Sequence, residues 1–230
     1  MQVVILCGGK GTRLSEYTEE IPKPLVEVGN KPILYHLMEL YVHAGHKDFI
    51  LCLGYKGEKI EEYFKGKREW NIKFMDTGEN ANKAERLMKV KDIIKGNTFL
   101  LSYGDDLSDV DINKVVDFHK KANKIVTLTA VPLISQFGVM EVNEKNEVTQ
   151  FKEKPKLSYL MNGGFYVMEK KIFNYIKRGY DLEKKVFEDL IKEKQIAAFR
   201  HDGFWKSMNT LKDVIELNEL YNEGKAPWTK

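Results

Sequence analysis

The sequence predicts an α/β protein in which helices flank a mostly parallel, Rossmann-like sheet. Short apolar runs rich in β-branched residues, such as 3–7 and 49–54, have the length of buried strands. Segments with apolar residues at helical spacing, such as 32–44, alternate with those runs. Strands separated by helices of this length join as parallel neighbours, so the sheet is expected to be covered on both faces.

The remaining elements follow the same alternation and end in a less regular, smaller β-rich part. Further helices are predicted at 56–65, 112–122, 182–194 and 211–222, and further strands at 71–75, 97–102, 125–131 and 163–168. Asp111 is placed to cap the helix at 112–122. A hairpin is predicted to pair 138–142 with 148–151.

Composition indicates an ordinary globular protein and excludes several kinds of partner. The 230 residues are 43% hydrophobic and 31% charged, as in soluble domains. A net charge of +3, with lysines and glutamates intermixed, argues against a nucleic-acid partner. No apolar stretch approaches the roughly 18 residues of a membrane helix, so no membrane partner is expected. Two cysteines within apolar runs, and a start without a basic leader, favour a cytoplasmic location.

The loop after the first strand is the most informative segment. Gly8, Gly9 and Gly11 allow backbone N–H groups to approach an anion without a Cβ in the way. Arg13 adds a planar cationic group for phosphate oxygens, and Lys23, between two prolines, adds a second cation. The spacing fits neither the P-loop nor the dinucleotide fingerprint. The segment predicts a polyphosphate site, and the alternative is a tight strand-to-helix turn with an exposed arginine.

Other charged residues are weaker candidates by themselves. Asp105 follows a predicted strand, and ligands of parallel sheets bind at the carboxyl ends of strands, so this carboxylate can hold Mg²⁺ beside the glycine loop. Asp106 acts through water or starts a turn. Lys154, which precedes a proline, is by itself interpreted as part of a solvated charged turn. Arg86, near a helix start, is equally consistent with a surface arginine and with a functional residue. The histidines do not cluster in the sequence, so they do not indicate a metal site. No serine or cysteine lies in a nucleophile elbow, so covalent catalysis has no support.

Taken together, these segments resemble the sugar-phosphate nucleotidyltransferases, and most closely the glucose-1-phosphate cytidylyltransferases. The resemblance runs nearly end to end, through 8–14, 22–24, 29–34, 76–78, 103–105, 137–138, 153–155, 162–165, 203–205 and 224–228. The glycine loop is typical of the superfamily, whereas 76–78 followed by Arg86, and the tail at 224–228, are typical of the cytidylyl branch. The resemblance implies one nucleotidyltransferase domain over 1–230, with a nucleotide-binding half at 1–131 and an acceptor-binding half at 132–230.

The resemblance also implies a role for each matching residue. Arg13, Lys23 and Asp105 are the implied catalytic residues, with Asp105 binding Mg²⁺ or Mn²⁺. The implied nucleotide-binding residues are Leu6, Gly8, Gly9, Gly11, Thr12, Thr77, Gly78 and Arg86, of which the last three lie near the cytosine. The implied acceptor-binding residues are Glu153, Lys154, Asn162, Gly163 and Gly164. The implied partners are CTP, a phosphorylated small molecule and further copies of the chain in a homo-oligomer.

Two departures from the family pattern bear on the metal and the acceptor. The family has an aspartate, its second metal ligand, where this chain has Asn209, and a neutral amide holds Mg²⁺ more weakly. Asp106 is a candidate to restore the lost charge. Alternatively, Asn209 or Thr210 caps the last helix, with Asp213 completing a capping box. The second departure is a shorter segment between residues 64 and 76 than in the glucose enzymes.

The predicted reaction is transfer of CMP from CTP to the phosphate of a small molecule, with release of pyrophosphate. A sugar 1-phosphate such as glucose 1-phosphate is the acceptor that the resemblance implies. The departures keep a non-sugar phosphate open, such as the phosphoglutamine of capsule phosphoramidate pathways. A different base, GTP or UTP, also stays open, as does a catalytically impaired nucleotide-binding regulator.

Overall fold

The computed structural model describes residues 1–67 and 69–229. Its strands are β1 (Gln2–Leu6), β2 (Glu27–Val28), β3 (Lys31–Pro32), β4 (Asp48–Leu53), β5 (Asn71–Asp76), β6 (Thr98–Tyr103), β7 (Asp106–Ser108), β8 (Val126–Ile134), β9 (Val139–Val142), β10 (Val148–Lys152), β11 (Lys156–Glu169), β12 (Ile196–Arg200) and β13 (Trp205–Ser207). Its helices are α1 (Ser15–Thr18), α2 (Ile33–His43), α3 (Gly57–Phe64), α4 (Lys83–Val90), α5 (Ile112–Ala122), α6 (Phe187–Lys192) and α7 (Leu211–Asn222). None of the helices in these two ranges is long and apolar enough to span a membrane.

Seven strands form the main sheet, in the order β12-β8-β11-β6-β1-β4-β5. The pairs β1/β4, β1/β6, β4/β5 and β8/β12 are parallel, whereas β11 runs antiparallel to both β6 and β8. Three two-stranded antiparallel sheets, β9/β10, β7/β13 and β2/β3, complete the fold. The prediction of a mostly parallel sheet with a smaller β-rich part is confirmed.

Both faces of the sheet are covered, as the alternation of strands and helices predicts. In β1, Val3 and Ile5 belong to one core cluster, which includes the apolar side chains of α2 and α7. Val4 and Leu6 point the other way and pack in a second cluster, with those of α4 and α6. Successive side chains of a strand alternate between faces, so a strand that is apolar throughout must be buried on both sides.

The observed elements agree with the predicted ones in part and differ from them at several places along the chain. The helices α5 and α7 have the predicted bounds, and the Asp111 side chain caps α5 by accepting from Lys114 N at 3.1 Å. β11 begins at Lys156, before the predicted 163–168, because its first residues pair with β8. The predicted helix at 182–194 opens with a π-helical turn, Leu182–Val186. The strands β2, β3, β7 and β13 were not predicted because each has only two or three residues, and β12 was not predicted because it is only partly buried.

A capping box begins α7, which confirms one of the two roles predicted for this segment. The Thr210 hydroxyl accepts from the backbone N–H of Asp213, and the Asp213 carboxylate accepts from the backbone N–H of Thr210 at 2.9 Å. Thr210 is therefore the N-cap, and the amide side chain of Asn209 is left for another role.

Replacing Thr210 by alanine is expected to lower the free energy of unfolding by about 1 kcal/mol, because one N–H of the first turn loses its partner. Urea denaturation measures the change. Ser158→Ala, at an exposed strand position, is the control and is expected to stay within about 0.5 kcal/mol of the wild type. A wild-type stability for Thr210→Ala would show that the cap contributes nothing.

Candidate active site

The glycine loop, residues 7–11, leaves β1 at the carboxyl edge of the sheet. The carbonyl of Gly8 accepts from the N–H of Tyr55 at 3.2 Å, which ties the loop to the segment after β4. Gly11 has a φ of 63°, in the left-handed region that favours glycine. A Cβ at Gly11 would lie 2.8 Å from the Thr18 side chain. The turn of the loop therefore depends on glycine at this position.

The segment after β6 lies next to the glycine loop, as the shared strand ends predict. β6 pairs with β1 in parallel, and Gly104 N donates to Leu6 O at 3.2 Å just beyond the paired residues. Asp105 follows directly. The carboxylate and the glycine loop consequently occupy one edge of the sheet.

A cavity of about 540 Å³, which we call the glycine-loop cavity, opens at this edge. The sequence-predicted residues that line it are Leu6, Gly8, Gly9, Gly11, Thr12, Arg13, Lys23, Arg86, Asp105, Asp106, Asn162 and Asn209. Six others are not among its described lining residues: Thr77, Gly78, Glu153, Lys154, Gly163 and Gly164. The cavity joins residues from both halves of the chain.

Three of the lining residues form a tight polar cluster. The Lys23 ammonium group donates to the Asp105 carboxylate and, at 3.1 Å, to the amide oxygen of Asn209. Lys23 is held in a short 3₁₀ turn between two prolines and is 8% exposed. The backbone N–H of Met208 donates to the carbonyl of Asp105 at 3.0 Å, which brings Asn209 beside the carboxylate. The C-terminal segment thus completes a cluster that begins at residue 23.

This cluster fits a divalent cation. The side-chain oxygens of Asp105 and Asn209 both reach the Lys23 nitrogen, so both can reach one positively charged centre. Carboxylate and amide oxygens suit Mg²⁺, which usually takes one or two protein ligands and completes its shell with water and phosphate. The described residues contain no group of three or more His, Cys, Asp and Glu side chains placed to hold a metal. A cation here would therefore share its shell with a ligand.

Asp106 occupies a different environment from its neighbour. It is 4% exposed, and it lies opposite Ser207 in the β7/β13 pair. A Cβ on Gly164 would come within 2.2 Å of the Asp106 carboxyl, so β11 packs directly against it. Burial, and then the charge of Asp105, raises the pKa of Asp106 well above its ordinary value. Among the described ion pairs, Lys23 pairs with Asp105 and not with Asp106.

Arg86 lies beneath the glycine loop. Its guanidinium donates to the carbonyls of Gly8 (2.8 Å), Leu53 (3.0 Å) and Glu79 (3.1 Å), and to the Thr77 hydroxyl (2.8 Å). It is 5% exposed, so its interpretation as a surface charge is wrong. A Cβ on Gly8 would lie 1.9 Å from the guanidinium, which requires glycine there. Arg86 joins the loop to the ends of β4 and β5.

Thr77 and Gly78 support this arrangement without lining the cavity. Thr77 is fully buried, and its hydroxyl donates to Leu53 O at 2.5 Å. Gly78 lines a second cavity of about 740 Å³, together with Met88 and Ile176. Neither residue is among the described residues that line the glycine-loop cavity, and their place near the cytosine stays a prediction.

In the half of the chain predicted to bind the acceptor, the start of the buried part of β11 is near the cavity. Asn162 lines it, and its side-chain oxygen accepts from Gly164 N at 3.1 Å. The carbonyl of Gly163 accepts from the indole N–H of Trp205 at 2.7 Å. Gly164 has a φ of 76°, which a residue with a side chain rarely adopts. The two glycines thus fix the backbone next to Asn162, which forms part of the cavity wall.

Glu153 and Lys154 lie apart from the cavity. They follow β10, at the base of the exposed β9/β10 hairpin, and both are exposed. Neither is among the described residues that line the glycine-loop cavity. Their contact with an acceptor stays a prediction, which requires the hairpin or the acceptor to bridge the gap.

Sequence reasoning missed several lining residues: Asn82, Lys83, Asp181, Trp205 and Ser207. The Lys83 ammonium group pairs with the Glu183 carboxylate and lies 4.2 Å from the centre of the Tyr103 ring. Capping signals were present at two of the missed positions, because Asn82 with Glu85 forms a capping box and Asp181 caps the π-helical turn. Both positions are helix starts that line the cavity.

A glycine loop with nearby cations, at the carboxyl edge of the sheet, is typical of α/β enzymes that bind nucleotide phosphates. These features place the protein in that class. Within that class, the chain belongs to the nucleotidyl transferase family, whose model matches residues 2–224. It is therefore a nucleotidyltransferase.

Individual relatives agree with this assignment. The glucose-1-phosphate cytidylyltransferase of Salmonella typhi is 40% identical over 254 residues, which cover 99% of this chain and 98% of that protein. The mannose-1-phosphate guanyltransferase of Saccharomyces cerevisiae is 32% identical, over 98% of this chain and 66% of that protein. The structure of HddC from Yersinia pseudotuberculosis complexed with GMP-PN has the same fold, with a TM-score of 0.74 at 24% identity, covering 96% of this chain and 99% of that one.

Proposed function

We propose that the protein is a cytidylyltransferase that transfers CMP from CTP to the phosphate of a small molecule, giving a CDP-linked product and pyrophosphate. A sugar 1-phosphate such as glucose 1-phosphate is the acceptor proposed first. The observation that carries the proposal is the meeting of Lys23, Asp105 and Asn209 beside the glycine loop, in a chain 40% identical to a glucose-1-phosphate cytidylyltransferase.

In the proposed reaction, a phosphate oxygen of the acceptor attacks the α-phosphorus of CTP. The bond from that phosphorus to the bridging oxygen breaks, and pyrophosphate leaves in line with the attack. A phosphate monoester is mostly dianionic at neutral pH, because its second pKa is about 6. The nucleophile therefore needs no general base, and the difficulty is to bring two polyanions together.

The residues of the cavity address this electrostatic problem. The backbone N–H groups of the glycine loop and the side chains of Arg13 and Lys23 bind the triphosphate and the departing pyrophosphate. Asp105 and Asn209 would hold Mg²⁺ or Mn²⁺, which when bound neutralises phosphate charge. Arg86 keeps the loop in place by binding the carbonyl of Gly8. Lys154, if the hairpin approaches, supplies a cation for the acceptor phosphate.

A non-sugar acceptor such as phosphoglutamine is the second candidate. The observation that favours it is the charge of the cavity wall, which carries both the ammonium group of Lys83 and the carboxylate of Asp181. An amino-acid phosphate has a carboxylate that would replace Glu183 as the partner of Lys83, and an ammonium group for Asp181 Oδ2, the oxygen that does not cap the π-helical turn. Neutral sugar hydroxyls do not need such charges.

A pyrophosphate-release screen tests both the base and the acceptor. With Mg²⁺ or Mn²⁺, we expect CTP to exceed UTP, GTP and ATP by at least about tenfold, because a pocket that hydrogen-bonds one base leaves groups unpaired with another. The acceptor panel includes glucose 1-phosphate, other sugar and polyol phosphates, and phosphoglutamine. Turnover only with another nucleotide would refute the choice of base. Nucleotide binding without turnover on any acceptor would favour a regulatory protein.

The location and assembly are also proposals. Cys7 and Cys52 are both free and buried, which suits a reducing compartment such as the cytoplasm. Assembly into a homo-oligomer, implied by the resemblance, is measured by light scattering in solution.

A further inference from the structure

The ammonium group of Lys23 lies at the point where the two metal-binding side chains converge. It donates to Asp105 and to Asn209 at once, and the Lys23 side chain is 10% exposed. A divalent cation bound by the same two oxygens would occupy nearly the same position. A lysine nitrogen and a doubly charged ion cannot share it, because only one atom fits there and two cations this close repel each other, more strongly in a partly buried site than in water.

The net charge of the cluster determines whether a free divalent cation can displace the Lys23 ammonium group. Asp105 contributes one negative charge, Asn209 contributes none, and the Lys23 ammonium group neutralises the carboxylate. The neighbouring Asp106 lies opposite Ser207 in the β7/β13 pair, its carboxyl faces Gly164, and it is not paired with Lys23 in the described structure. The side chains of Lys23, Asp105 and Asn209 therefore sum to a charge close to zero, and these three offer little attraction to a free cation.

We propose that Lys23 is the resident cation of the nucleotide-free site and that a divalent cation enters only together with a nucleoside triphosphate. The triphosphate supplies the negative charge that the cluster lacks and gives the Lys23 ammonium group a new partner. Lys23 then moves from Asp105 and Asn209 to phosphate oxygens as the cation takes their oxygens. Asn209 is the residue that sets this balance, because a carboxylate there would leave a negative charge after pairing with lysine.

The inference rests on the proposed function for the identity of the nucleotide, but its central claim concerns the nucleotide-free protein. Mn²⁺ is a suitable probe, because its free and bound forms are distinguished by electron paramagnetic resonance. Binding is measured without nucleotide for the wild type, Lys23→Met, Asn209→Asp and the control Lys83→Met. The control removes a lysine of the same cavity whose charge is already paired with Glu183.

We expect the wild type to bind free Mn²⁺ weakly and both Lys23→Met and Asn209→Asp to bind it at least tenfold more tightly. Lys83→Met is expected to show a clearly smaller change. Thermal unfolding shows whether Lys23→Met is folded, and Asn209→Asp decides the question if it is not. Equal Mn²⁺ affinities of wild type and Lys23→Met, or an unchanged affinity in Asn209→Asp, would overturn the proposal.

A second arm separates this result from the proposed function. With α,β-methylene CTP added, the wild type is expected to form a ternary complex with Mn²⁺. The complex is seen as water-proton relaxation enhanced above that of Mn²⁺ and nucleotide alone. Absence of the enhancement, with tight Mn²⁺ binding by Lys23→Met in the first arm, would refute CTP as the nucleotide and leave the competition between lysine and metal standing.

Discussion

Replacing Lys23 or Arg13 by alanine is expected to slow nucleotidyl transfer on the order of 10²-fold or more, the usual effect of losing a preorganised donor. Both cations line the glycine-loop cavity. The nucleophile and the leaving group are anions, and so the barrier is dominated by charge that these side chains neutralise. Steady-state pyrophosphate release with saturating CTP measures the effect on kcat.

The matched control is Lys59→Ala. This exposed lysine of α3 donates to the carbonyl of Glu20 at 2.6 Å and is not among the residues described as lining the cavity. We expect it to retain wild-type rates. If Lys23→Ala and Arg13→Ala both stayed within a few-fold of the wild type, the assigned roles would be wrong.

Replacing Arg86 by methionine is expected to lower the free energy of unfolding by about 3 kcal/mol and to weaken CTP binding. Methionine fills much of the space but leaves the carbonyls of Gly8, Leu53 and Glu79 without this donor. The carbonyls of Gly8 and Leu53 keep donors from Tyr55 and Thr77, so the cost is that of losing hydrogen bonds to a charged group, on the order of 1 kcal/mol or more each. The glycine loop would also lose the contact that fixes its first peptide.

Urea denaturation and calorimetry with CTP measure the two effects separately. Arg178→Met, at an exposed position, is the control and is expected to leave stability within about 0.5 kcal/mol of the wild type. A variant Arg86→Met with wild-type stability would mean that the buried guanidinium is not what holds the loop. Reduced stability with intact CTP affinity would limit Arg86 to a structural role.

Arg86 illustrates what periodicity leaves undecided. Its place near a helix start was equally consistent with a solvent-exposed arginine and with a ligand of the base. In the structure the guanidinium is beneath the loop, because four oxygen acceptors from three segments converge there. Such convergence depends on how strands are placed side by side, and no local pattern encodes it.

Asn209 is a second residue whose contacts could not be predicted from local sequence patterns. The sequence offered two uses for residues 209 and 210, a metal ligand or a helix cap. The capping box uses Thr210, which is a local pattern and was recognisable. The contact of Asn209 with Lys23 joins residues 186 positions apart, and it exists because Met208 is hydrogen-bonded to Asp105.

Sequence patterns were enough to predict the alternation of strands and helices, the shared edge of the glycine loop and Asp105, and the family. These follow from local spacing, from backbone freedom at glycine and from the general rule that parallel strands end at one edge. Three features are visible only in the folded chain: Lys23 bridges Asp105 and Asn209, Arg86 supports the loop, and Glu153 and Lys154 lie outside the cavity. The physical reason is that side-chain contacts between distant segments depend on packing over the whole sheet, which no short stretch of sequence specifies.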